Sequence, residues 1–150
     1  WHIRKIVLNH DDAHDLLQNV FMKAWSSLDR FRGESSLSTW LYRIATNESL
    51  TFLNQQKRKR GFVGDADEAY LSNRLKSDSF FDGNEIQRRL MEAVVKLPEK
   101  QRLVFNMKYF DNLKYEQMAE ILNLTTGALK ASYHHAVKKI EESLRNDPVF

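Results

Sequence analysis

Cysteine is absent from the 150-residue chain. That excludes a disulfide framework, a thiolate zinc site and a thiol nucleophile, and it makes a reducing compartment, the cytoplasm, the default location. Long apolar runs are missing as well: no stretch of apolar residues exceeds three, against the roughly 18 that a bilayer-spanning helix needs. A transmembrane helix is therefore excluded. The first residues (Trp1, Ile3, Ile6, Val7, Leu8) carry no secretory signal pattern, and the start is read as processed or truncated. No Gly-rich phosphate loop and no convincing acid/base cluster is found, so the chain is expected to act by binding, without enzymatic activity, cofactor or metal.

What the chain does have is 42% apolar residues, enough for a core, and 23 Lys and Arg against 20 Asp and Glu, a formal net charge of +3. The length fits one ordinary domain or two small ones. Apolar residues at Ala13, Leu16, Leu17, Val20, Phe21, Ala24, Trp25 and Leu28 follow helical spacing. Asp11 or Asp12 can cap this helix, Phe21 and Trp25 are expected in the core, and Asp12, Asp15, Gln18, Asn19, Met22 and Lys23 are left for solvent or a partner. A polar break at 29–36 follows, in which Gly33 permits a turn and Ser35 or Ser36 can cap a second helix. That helix carries Leu37, Trp40, Leu41, Ile44 and Ala45, and closes on the four cations Lys57, Arg58, Lys59 and Arg60.

Residues 61–84 hold three of the five glycines and show no clear periodicity. A stretch of that length without structure is best read as a flexible linker between two helical domains. Beyond it, Ile86, Leu90, Val94 and Leu97 form one stripe, and Pro98 fits the first turn of a helix carrying Leu103, Met107 and Phe110. Helices over roughly 114–122 and 127–145 complete an all-α expectation with no strand.

The segment from Tyr115 to Lys130 has the anatomy of a helix-turn-helix. Ala119 is small where two helices cross, Asn123 tolerates a left-handed turn, and Thr125 can cap the second helix. Leu124, Leu129, Tyr133, Ala136 and Ile140 point inward, which leaves Lys130, Ala131, His134, His135, Lys138 and Lys139 outward. Between Gly127 and Lys139 there are three lysines and no acid, so this helix can approach a phosphate backbone and place its first turn in the major groove. A plain αα-hairpin with a solvated lysine face is the less favoured alternative. Metal binding is not expected: His134 and His135 diverge by about 100° on a helix, and His10 and His14, though spaced by four, sit in an ordinary acidic helix start.

A second candidate surface lies earlier. Between Arg30 and Arg60 there are seven bases and two acids, with Phe31, Trp40, Tyr42 and Phe52 interleaved. Such a mixture can track phosphates while aromatics or a loop receive unstacked bases. Trp40 and Phe52 are expected in the core, and the loop from Phe31 to Ser36 is the better candidate for base contact.

The segments 12–25, 30–34 and 37–47 together closely resemble region two of bacterial sigma factors of the extracytoplasmic-function (ECF) group. The segment from Leu97 through Tyr115 to Ile140 resembles their region four. The resemblance implies an organisation of region two over 1–60, a linker over 61–84 and region four over 85–150. It implies a dissociable subunit that docks on the clamp and flap of core RNA polymerase, directs it to promoter DNA, and is masked by an anti-sigma factor. Core binding would fall to Asp12, Asp15, Gln18, Asn19 and Met22. The melted minus-ten strand would be read by Phe31, Arg32, Gly33, Glu34, Ser35, Arg43, Asn47, Lys57 and Arg58. The minus-thirty-five duplex would be read by Thr125, Thr126, Lys130, Ser132, Tyr133, His134, His135 and Lys138. The family often has arginines where this chain has Ser132 and His135, and the fewer cations on that helix are expected to weaken phosphate binding and shift readout toward Tyr133, His134 and Lys130; it also often has an acid in place of Asn19. The alternative is a helix-turn-helix repressor or response-regulator output protein that needs no polymerase. The net charge resolves into −1 over 1–29, +5 over 30–60, −3 over 61–84 and +2 over 85–150, a distribution that suits the sigma organisation better than the small total does.

Overall fold

The computed structural model describes residues 1–61, 65–79 and 83–148. Helix α1 (His2–Val7) stops at Leu8, which is buried in the left-handed conformation at φ 54° and donates its N–H to Arg4 O. Asn9 then starts α2 (His10–Ser27), its side chain accepting from Asp12 N. The cap is thus Asn9 and neither of the expected aspartates, because the turn after Leu8 leaves the chain extended at Asn9.

Apolar residues of α2 form two adjacent stripes, and only one is buried. Ala13, Leu16, Val20 and Ala24 face inward, while Leu17, Phe21, Trp25 and Leu28 are 43%, 58%, 81% and 46% exposed. The expectation that Phe21 and Trp25 are core residues is corrected. The two stripes lie about 100° apart, and the one carrying two alanines packs closely on α1 and α3.

After a 3₁₀ turn at Leu28–Arg30, Ser36 caps α3 (Leu37–Arg60), which ends at Gly61 in the left-handed region, φ 67°. The buried stripe of α3 consists largely of small or hydroxylated residues: Thr39, Ala45, Thr46, Ser49 and Leu53. Thr46 and Ser49 return their hydroxyls to Tyr42 O and Ala45 O, each at 2.7 Å, so they are buried without an unsatisfied donor and let neighbouring helices approach closely. Trp40 and Phe52 are half-buried.

Most of the segment expected to be an unstructured linker is helical: α4 spans Asp65–Ser77. Leu71 and Leu75, one turn apart, are both 4% exposed. Arg74 fastens the helix to the first half by donating to Val7 O at 2.8 Å and pairing with Asp12. Residues 62–64 and 80–82 of the expected linker lie outside the described residues.

Asn84 caps α5 (Glu85–Val95); Ile86, expected on its core stripe, is 64% exposed at the first turn. Pro98 sits at the cap position of α6 (Glu99–Phe105), one residue ahead of the expected place. The half-buried Arg102 donates from its guanidinium to Leu97 O at 3.2 Å, and desolvation lowers its pKa. A π-helical turn (Asn106–Phe110) leads to α7 (Tyr115–Leu122) and α8 (Thr126–Arg145). The described residues contain helices and no strand, so the all-α expectation holds.

One cluster of buried side chains runs from Ile3 on α1 to Leu129 on α8 and includes α4 through Leu71 and Leu75. A smaller one joins Val94, Leu97, Phe105, Ala136 and Ile140. The first crosses both ends of the chain, because α3 packs on α1 and α2 on one side and on α7 on another.

Candidate nucleic-acid interface

Asn123 at φ 53° turns α7 into α8, and Thr125 caps α8 by accepting from Ala128 N at 3.1 Å. Both local features follow from the short polar side chains read in the sequence. On α8, Lys130, Ala131, His134, His135, Lys138 and Lys139 are exposed, while Thr126 and Ser132 are half-buried. The His134 and His135 rings stand 6.1 Å apart. Lys130 Nζ lies 5.7 Å from the Tyr115 ring centroid and Lys108 Nζ 4.5 Å from it, so one ring of α7 supports two cations. Tyr133 does not share this face. Its ring stacks on Phe105 at 5.9 Å and 19°, and burial followed by the neighbouring Tyr115 and Tyr109 raises its pKa. One helical turn beyond Leu129, Tyr133 falls on the inward stripe and is half-buried.

The second surface is built on the loop before α3. Gly33 takes φ 71°, Phe31 packs on Trp40 with ring centroids 5.1 Å apart, and Arg32 and Glu34 are exposed with Ser35 half-buried. A cavity of about 350 Å³ opens beside them, lined by Arg30, Phe31, Arg32, Glu34, Ser35, Trp40, Arg43 and Glu120. Arg43 reaches across it, donating from Nε (3.1 Å) and Nη2 (2.6 Å) to the backbone carbonyl of Glu120 on α7. Asn47 is exposed one turn further along α3. Lys57 and Arg58 are not part of this group: they lie 14 or more residues beyond Arg43 on α3, about 20 Å along the axis. Lys57 is held by Asp67 of α4 and stands 3.7 Å from Glu99, whereas Arg58 is exposed.

On α2, Asp15, Gln18, Asn19 and Met22 are exposed together, Met22 by 70%. Asp12 is set apart, half-buried and paired with Arg74. Among the described residues no group of three or more His, Asp or Glu side chains is placed to hold a metal.

Sequence reasoning missed the polar network that joins the two ends of the chain. Thr46 donates its hydroxyl to Tyr42 O, so its oxygen accepts from His2 Nε2 at 2.8 Å, while His2 Nδ1 lies 2.7 Å from Asp111 Oδ2. Lys5 Nζ stands 3.6 Å from the other oxygen of Asp111. Burial, then the Asp111 charge, raises the pKa of Tyr42, whose ring meets His2 edge-on at 4.9 Å. No local signal could have paired residues 2 and 111.

Residues 1–59 match the family described as Sigma-70 region 2, and residues 87–140 the family described as Sigma-70, region 4. The chain is 31% identical over 148 residues to the ECF RNA polymerase sigma factor SigW of Bacillus subtilis, covering 92% of this chain and 78% of that protein. It is 30% identical over 143 residues to the ECF RNA polymerase sigma-E factor of Escherichia coli, covering 89% and 74%. Its fold is similar to that of the Bartonella quintana sigma factor RpoE, solved with the anti-sigma factor NepR, at a TM-score of 0.75 and 24% identity over 97% of this chain and 89% of that one. CnrH, solved with the cytosolic domain of CnrY, is similar at a TM-score of 0.66 and 20% identity over 97% and 79%. With both regions matched in order along one chain, and with relatives covered over most of their length, this protein belongs to the ECF group of the sigma-70 family of RNA polymerase sigma factors.

Proposed function

We propose that this chain docks on the clamp and flap of core RNA polymerase, directs it to specific promoters and helps melt the minus-ten element. Residues 1–60 act as region two, 61–84 as connector and 85–150 as region four. The observation that carries this reading is the pairing, in one chain, of an exposed helix-turn-helix face with a separate arginine-and-aromatic loop pocket. A duplex reader needs fixed cations on a helix that fits the major groove, and α8 offers Lys130 and Lys138, with the exposed rings of His134 and His135 between them, behind the Thr125 cap. A strand reader needs a recess in which an extruded base gains stacking and edge hydrogen bonds that offset a few kcal/mol of unstacking. Phe31, Arg32, Ser35 and Arg43 supply those groups.

Core docking is assigned to the exposed face of α2, Asp15, Gln18, Asn19 and Met22, with Asp12 available once Arg74 releases it. No described helix is long and apolar enough to cross a membrane, and the working place is where the polymerase is, the cytoplasm. An anti-sigma factor is the regulatory partner, as it is for the Bartonella quintana neighbour solved with NepR. The chain should co-purify with core polymerase and support promoter-dependent initiation in vitro. Binding to duplex DNA alone, with neither core binding nor initiation at saturating protein, would replace this reading with a polymerase-independent repressor.

A further inference from the structure

The outward face of α8 carries two kinds of cation. Lys130, Lys138 and Lys139 are charged throughout the range around neutrality, whereas His134 and His135 carry a charge only when protonated. All five are exposed, and no acid lies between Gly127 and Ile140. We propose that His134 and His135 make duplex binding by α8 proton-linked, so that affinity for promoter DNA rises as the pH falls through the imidazole range. The proposal rests on the reading of α8 as the duplex-contacting helix and adds to it a dependence on pH.

Three observations carry it. First, both rings are available to take a proton and present it to a phosphate. Among the described residues neither has a hydrogen-bond or ion-pair partner, and their ring contact is with each other, at 6.1 Å. Second, the rings stand between the fixed cations. His134 is four residues from both Lys130 and Lys138, and His135 is four from Lys139, the spacing that puts side chains on one side of a helix. A phosphate backbone that reaches from Lys130 to Lys138 therefore passes over them.

Third, the surrounding charges leave phosphate as the favourable partner of a protonated ring. The nearest acids on α8, Glu141 and Glu142, are seven residues from His134 and His135 respectively, about 10 Å along the axis and beyond the screening length of about 8 Å at physiological salt. The π-helical turn and α7 bring Lys108 and Tyr115 to the side of Lys130. Asp111 is held by His2 and Lys5, Glu116 is exposed on the first turn of α7, and Glu120 lines the Phe31 cavity. Helices α5 and α6 meet the buried stripe of Ala136 and Ile140 through Val94 and Phe105. Their charges are engaged elsewhere: Glu85 pairs with Arg88 and Arg89, Glu99 stands 3.7 Å from Lys57, and Arg89, Glu92 and Lys96 line a cavity at the carboxy-terminal end of α8.

Phosphates favour the charged form of a ring beside them, so the complex holds more protons than the free partners. By linkage, affinity then increases with proton concentration, and each ring that pairs with a phosphate adds about 0.9 to the salt dependence. The test titrates the full chain against a rhodamine-labelled duplex of mixed sequence, read by anisotropy over a pH series and a salt series. From about pH 8 to about pH 6 the affinity should rise about fivefold or more, and the slope of log affinity against log salt should steepen by about one per ring engaged.

The double variant His134→Gln with His135→Gln keeps hydrogen-bonding groups and loses the titratable charge. It should match the unaltered chain at the alkaline end and lose the gain at the acid end. His135→Lys should bind more tightly than the unaltered chain at the alkaline end, with a smaller gain on acidification. His10→Gln with His14→Gln, both on α2, should keep the full gain. Circular dichroism at both ends of the series checks that each variant is folded. A flat profile for the unaltered chain, or a gain that survives in the double glutamine variant of α8, overturns the inference. An absence of duplex binding at every pH overturns instead the reading of α8 as the duplex-contacting helix, and the inference falls with it.

Discussion

Lys130 is the cation best placed to meet duplex DNA. It is exposed on the second turn of α8, clear of acids, and rests near the Tyr115 ring. A lysine that contacts one phosphate contributes about one unit to the slope of log affinity against log salt. Lys130→Ala is expected to weaken duplex binding and lower that slope by about one, with core-polymerase binding unchanged; filter binding across a salt series measures both. Equal loss of duplex and core binding would place Lys130 in the fold and not at the interface. At this scale the sequence was informative mostly where the deciding interaction spans a few residues, although the local Asn9 cap of α2 was missed. Asn123 in the left-handed turn and the Ser36 and Thr125 caps are all local events. The His2–Asp111 contact spans 109 positions and had no local trace. Tyr133 was ambiguous, because a Tyr at a stripe edge can serve either a core or a surface.

Helical periodicity located the elements well and their buried faces less well. On α2 every apolar position was visible, yet spacing alone could not tell the buried alanine-containing stripe from the exposed stripe of Phe21 and Trp25. Close packing on α1 and α3 favoured small residues, which reverses the usual rule that bulk goes inside. Helix α4 was missed for a different reason: its apolar content is little more than Tyr70, Leu71 and Leu75 amid charge, too sparse for a period to register. Two buried leucines are nonetheless enough to bind it to the core, with Arg74 stitching it to Val7 and Asp12. Leu75→Ala should therefore destabilise the protein by about 2–5 kcal/mol, as for other truncations of buried leucine. Urea denaturation followed by circular dichroism measures it, and a change below about 0.5 kcal/mol, typical of surface sites, would show that the connector contributes nothing to the core.

At the scale of the whole molecule, the chain's charge is an uneven distribution: a basic stretch over 30–60, an acidic connector and a mildly basic carboxy-terminal part. The acidic connector is partly spent on that basic stretch, since Asp67 of α4 holds Lys57 and lies 3.6 Å from Arg60. The two halves are also joined by a shared apolar cluster extending from Ile3 to Leu129. Such continuity has a thermodynamic consequence, because residues that share a core unfold together. All three tryptophans (Trp1, Trp25 and Trp40) lie within the first 40 residues, and Trp40 is half-buried on the helix that meets α7. Their fluorescence therefore reports chiefly on the first half, with Trp40 also facing the cavity that Glu120 of α7 lines. Leu129→Ala empties a fully buried position in the second half, at a cost of about 2–5 kcal/mol. If the halves unfold as one, the urea midpoint seen by tryptophan fluorescence moves down together with the midpoint seen by circular dichroism. If each half is independent, the tryptophan transition stays where it was and only the dichroism curve splits. A stationary tryptophan midpoint would mean that the packing of α3 on α7 is too weak to couple the halves.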